Sequence, residues 1–262
     1  MTTLPAPTPL YTPAPGAAPW HRMLLAQTLI ELKLTLRRGE SVLLTLIIPV
    51  GLLVFFTKVK LLSNEQLGGR PIDFVTPGVL ALAVLSTAFT GQAIATGFER
   101  SYGVLKRLGA SPLPRGLLLL GKTFGVLAVE VLQIVVLVAV AYALGWHPHG
   151  NPLTVLLLLV VGTAAFSALG LLMAGTLRAE ATLAAANGVY LVFLLLGGIV
   201  FPLTRLPGAL QGFAKVLPGT ALSTGLRRVL EAGAGMPWGD LGLLALWAVI
   251  AGVLAARTFR WE

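Results

Sequence analysis

Gly116-Leu-Leu-Leu-Leu-Gly-Lys-Thr123 admits two incompatible readings. Letter for letter it fits G-x-x-x-x-G-K-[ST], the pattern of the phosphate-binding loop in ATPases and GTPases. Read so, it demands a buried β-strand before it, a soluble helix after it and an α/β fold around it. Read as apolar helix, it leads into a membrane span, and the chain is all-α. A phosphate loop uses small residues so that successive backbone N–H groups can turn towards the anion, whereas all four variable positions here are leucine. "LGASPLPR" precedes it and a long apolar run follows. The nearby acid, Glu130, lies inside that run and no soluble domain surrounds it to hold magnesium. The match is a coincidence of a Leu- and Gly-rich chain. Lys122 is expected to snorkel from the inner end of the span that follows.

Composition agrees. Of 262 residues, 56% are hydrophobic and 11% charged, with mean hydropathy +0.88. Soluble domains carry about a quarter charged residues, so much of this surface must face lipid. The chain has no cysteine, which removes disulfide and thiolate chemistry. A net charge of +9 is accounted for by Lys and Arg between spans and does not require nucleic acid.

Residues 1–20 are rich in Pro, Ala and Thr, uncharged, and unlike a signal peptide; they read as a disordered tail. In 21–38, "HRMLLAQTLIELKLTLRR", Leu25, Leu29, Leu32 and Leu36 share one stripe. Gln27, Glu31, Thr35 and Arg38 lie largely opposite, which predicts an amphipathic helix in the membrane interface. Six spans are expected, each long enough to cross about 30 Å of hydrocarbon. They are Ser41–Val59, Phe74–Gly97, Thr123–Trp146, Leu153–Leu177, Thr182–Phe201 and Asp240–Ala256. Between the last two, residues 202–239 are broken by four prolines into pieces too short to cross, expected to be two re-entrant outer helices. Twelve of the nineteen Lys and Arg fall on segments that an inside N-terminus places inside, in keeping with the positive-inside rule.

Among polar residues, Glu130 stands mid-span, three residues before Gln133. Thirteen Leu, Ile, Val and Phe residues between Phe124 and Leu144 favour insertion by roughly 0.3–0.6 kcal/mol each, and so outweigh an acid costing about 3 kcal/mol. Glu130 is either an intramembrane functional acid or a packing residue hydrogen-bonded between helices. Asn187 and Tyr190 in the fifth span, and Ser86, Thr87, Thr90 and Gln92 in the second, suit interhelical bonding or a cargo path equally. His147 and His149 read as an ordinary outer turn, because a zinc site takes three or four protein ligands. Gly121 and Gly125, and Ala164 and Ala168, are spaced for close helix packing. The segment between spans two and three, residues 98–116, holds Glu99, Arg100, Gly103, Lys106, Arg107, Ser111, Pro112 and Arg115. Leu105 and Leu108 predict one short amphipathic helix there, stopped by prolines.

This segment resembles the E-R-x-x-G-x-L-x-R-L-x-x-[ST]-P pattern of permease subunits of type-2 ATP-binding-cassette exporters. Glu99, Arg100, Gly103, Leu105, Arg107, Leu108, Ser111 and Pro112 stand in its places. "LPGTALSTGLRRVLEAG" resembles their second signature, with Leu217, Pro218, Thr220, Leu226 and Arg227 matching. The likeness runs from His21 onward and is strongest to the drug-efflux, daunorubicin-resistance branch. It implies that residues 99–112, with Arg37 and Arg38 on the interfacial helix, dock on a separate ATPase present in two copies. Mg-ATP would bind there and not on this chain. It also implies a second permease copy, identical or related, and a path faced by Thr90, Gln92, Asn187 and Tyr190 with Pro218 and Arg227 at an outer gate. Residence would be the bacterial plasma membrane, with both termini cytoplasmic. The alternative is an ion-coupled carrier using Glu130. It would show paired inverted repeats, and the chain has no such symmetry. A membrane enzyme needs several converging polar groups, where the spans offer one mid-span acid with a few amides and hydroxyls.

Overall fold

The computed structural model describes residues 16–59, 70–199, 202–230 and 235–260, among which there is no strand. Among the described residues ten α-helices follow one another: α1 (Trp20–Arg37), α2 (Gly39–Lys58), α3 (Pro71–Ser101), α4 (Val104–Gly109), α5 (Arg115–Ala143), α6 (Pro152–Thr176), α7 (Ala179–Leu196), α8 (Gly208–Ala214), α9 (Pro218–Leu230) and α10 (Trp238–Thr258). α3, α6 and α9 each open on proline, whose missing N–H has no intrahelical partner at that position anyway. Asn151 caps α6, its side chain accepting from Leu153 N at 2.9 Å.

Among the described residues α3, α5, α6, α7 and α10 are long and apolar enough to cross a membrane, and α2 adds a shorter apolar stretch, Thr45–Lys58. The protein is therefore a multi-pass membrane protein. The third span starts earlier than its expected Thr123: α5 is helical from Arg115. Its N–H groups beyond the first turn are consumed by the helix itself, so Gly116–Thr123 presents no loop of free amides.

α3 is the axis of the bundle. Every residue from Phe74 to Leu85 is buried, and 78% of its apolar window lies inside, against 22% for α7 and α10. At Leu85–Gly91 it loosens into a π-helical turn. There Phe89 meets Phe193 of α7 edge-on at 5.8 Å, and Phe193 meets Phe166 of α6 at 5.7 Å. The longest interface joins α6 to α10. On the periphery, large apolar side chains such as Leu191, Leu195 and Val249 are more than half exposed, as a lipid-facing surface requires.

α9 packs against α3, α6 and α10 and lies beside the end of α7. A helix end leaves its last carbonyls without donors, and α9 supplies them. Thr220 Oγ1 reaches Leu196 O at 3.4 Å and Ser223 Oγ donates to Gly197 O at 2.6 Å. The Arg227 guanidinium donates to Gly198 O and, at 3.0 Å, to Ile199 O. It also sits 3.7 Å over the Phe74 ring of α3. Residues 220, 223 and 227 share one helical stripe, which is why a single helix can cap four successive carbonyls.

Candidate functional site

Three helices, α1, α3 and α5, meet at one lysine. α1 presents its polar stripe to the protein and its leucines outward: Leu25, Leu29 and Leu36 are 60%, 54% and 48% exposed, whereas Gln27 is 5% exposed. Gln27 lies on Gly121 and Glu31 on Gly125. A Cβ at Gly121 would come within 2.5 Å of Gln27 Cγ, and one at Gly125 within 2.7 Å of Glu31 Cβ. The four-residue spacing on both sides means the two helices run in the same direction here. The small-residue pair thus buries a polar face, since lipid would leave those groups unpaired.

Lys122 follows Gly121 and does not snorkel. It is 3% exposed, its Nζ lying 2.8 Å from Glu31 Oε1 and 2.5 Å from Glu99 Oε2. Gln27 Nε2 donates to Glu31 Oε1 at 2.7 Å. One ammonium therefore ties three helices. Lys122 and Glu31 are absent from the sequence signature, and only the Gly-Lys…Gly spacing opposite a Gln…Glu stripe could have pointed to them.

The next residue of the signature is also turned inward. Arg100 donates to Ala174 O at 2.9 Å and to Leu177 O, capping the exposed end of α6 where cations are favoured. Gly103, at φ 72°, then turns the chain in the left-handed region. α4 is pinned by Leu105, fully buried among Leu118, Leu119, Leu171, Ala255 and Phe259. From that anchor Lys106, Arg107, Ser111 and Pro112 project as an exposed face, with Tyr102 beside them 74% exposed. Arg37 and Arg38 are exposed at the end of α1. The eight-residue pattern is thus divided between inward ties and an exposed cationic surface.

The residues expected along a path are not brought together. Gln92 is buried and accepts from Ser167 Oγ at 2.9 Å, and Thr90 is half-buried. Asn187 is exposed on α7, where its side chain bonds Leu183 O at 2.9 Å, and Tyr190 is half-buried. Pro218 is buried. Deep in α5, Glu130 accepts from the Thr163 hydroxyl of α6. Gln133 accepts from Thr87 Oγ1 at 3.1 Å and donates to Thr45 O at 2.6 Å, so both serve as interhelical bonding partners. His149 N donates to Leu230 O at 3.3 Å, and among the described residues no three His, Cys, Asp or Glu converge as a metal would need.

Comparison with known proteins identifies the family. The chain is 25% identical over 214 residues to the putative transport permease YvfS of Bacillus subtilis, covering 80% of this chain and 86% of the relative. It is 28% identical over 172 residues to ABC transporter G family member 20 of Dictyostelium discoideum. That match takes in 65% of this chain but spans only 24% of the relative's length. The profile of the ABC-2 type transporter family matches residues 24–230, most of this helical chain, and the chain belongs to that family.

Proposed function

We propose that the chain is the membrane-spanning permease of an exporter driven by a separate ATPase. The observation that carries this is the exposed cationic face of α4, Lys106 and Arg107, on a ledge whose base is tied to α1, α3, α5 and α6. A push on that face meets a stiff element and not a loop, so it can move helices as rigid bodies. In this reading α2 completes a set of six spans, α8 and α9 are re-entrant on the outer side, and the termini are cytoplasmic. Two ATPase copies and a second permease complete the assembly, in the plasma membrane of a bacterium. The cargo is amphipathic or hydrophobic, a drug or lipid-like molecule of the kind the daunorubicin-resistance branch handles, because the short outer connections offer little room for recognition of a large polar solute.

The test is reconstitution of the full chain with its cassette ATPase. Stimulated hydrolysis should be lost in Arg107→Ala/Lys106→Ala while membrane insertion and thermal unfolding stay unchanged. Normal stimulation in that variant, or solute movement by the purified chain under a proton gradient with no ATPase present, overturns the reading.

A further inference from the structure

A cavity of about 530 Å³ opens between α1, α3 and α5, within the size range of small-molecule sites. Its walls carry Glu31, Glu99 and Lys122 of the inner junction, and Arg38 with the exposed Leu34 and Tyr102. The greater part of its surface is apolar, from residues such as Ile94, Ala95, Val126 and Val129. Two polar residues of its wall are buried and unfinished. Gln92 and Thr96 are 5% and 1% exposed, and neither Gln92 Nε2 nor Thr96 Oγ1 has a hydrogen-bond partner among the described residues. Buried donors left unmade are costly and uncommon. Both lie on α3 four residues apart, on one stripe.

The charge on the lining decides what kind of molecule answers them. Two carboxylates, Glu31 and Glu99, face one lysine and one arginine, so the site is balanced and selects neither a cation nor an anion. Gln92 Nε2 can only donate, and Thr96 can donate as well. We infer that this cavity is a binding site for a neutral amphiphile whose head carries acceptor oxygens, such as a carbonyl, and whose apolar body lies along Ile94, Val126 and Val129. The site lies within one chain and is independent of the export reading, because its occupancy is measured with no ATPase present.

The probe is a monoacylglycerol bearing a diazirine in its acyl chain, photolysed with the purified full-length chain in detergent and mapped by mass spectrometry. Saturable labelling is expected at Ile94–Phe98 or Val126–Val129. Ala95→Phe, which fills the cavity, should reduce it at least tenfold. Thr96→Val, which removes a hydroxyl that holds no other partner and so leaves the fold intact, should reduce it severalfold. An alkane of equal length and a trimethylammonium analogue should label these residues weakly. Equal labelling by either analogue, indifference to Thr96→Val in a folded protein, or labelling confined to the exposed face of α7 overturns the proposal.

Discussion

The two signature segments use their arginines alike but their remaining residues differently. In the segment of α9 the matched positions turn into the bundle: Leu217, Thr220 and Leu226 are buried, and Arg227 closes the end of α7. In the segment around α4, Glu99 and Arg100 turn into the bundle while Lys106, Arg107, Ser111 and Pro112 stay exposed. The pattern at 217–227 is explained by the fold alone, since backbone carbonyls at a helix end need donors. The pattern at 99–112 is only half explained so. Lys106 and Arg107 stand exposed on a six-residue helix anchored by Leu105, and this is the face that the proposed function assigns to docking.

The two joins also differ in physics, and substitutions can separate them. The largest effect is expected for Lys122→Met. It strands two carboxylates against each other in a partly buried junction and should cost about 3–5 kcal/mol, read as a lowered thermal unfolding temperature in detergent. Glu31→Gln/Lys122→Met/Glu99→Gln should recover most of that loss. If the triple variant is no better than the single one, the junction is not electrostatic. Arg227→Gln acts on neutral carbonyls and should cost less, about 2–3 kcal/mol, with proteolysis increasing first near residues 196–206. Nicking elsewhere would show that α9 does not hold the end of α7.

Gly125→Val should wedge α1 from α5 and destabilise by about 1–3 kcal/mol, read as greater hydrogen exchange in α1 with α9 unaffected. The smallest effect on stability belongs to Arg107→Ala, within about 0.5 kcal/mol, although under the proposed function coupling to an ATPase should be lost. Glu99→Ala, though its neighbour in the signature, should instead behave like a damaged fold. Matching phenotypes at 99 and 107 would erase the distinction between the two halves of the segment 99–112.

Much of this was legible before any coordinates. The apolar runs, the charge-poor composition and the leucines at the variable positions of Gly116–Thr123 were enough to dismiss a phosphate loop and to place five of the six expected spans on helices long and apolar enough to cross, while the first, Ser41–Val59, falls on α2 with its shorter apolar stretch. Leu105 with Leu108 located α4, and the signature residues marked both the ledge and α9. Less legible was which side of a residue would be used. Glu99 and Arg100 look like surface charges in sequence, yet each meets a partner more than twenty residues away. Lys122 looks like a snorkelling end charge until Glu31 and Glu99 arrive from two other helices.

Hydropathy, helix length and proline positions are local quantities. They settled by themselves that this polypeptide is a bundle of membrane helices, with a basic segment between two of them and a proline-broken segment before the last. The tertiary structure alone decided that α1 hides its polar stripe and shows its leucines. In lipid the unpaired polar group, and not the apolar one, is the group that must be covered, and the cover came from two glycines on α5.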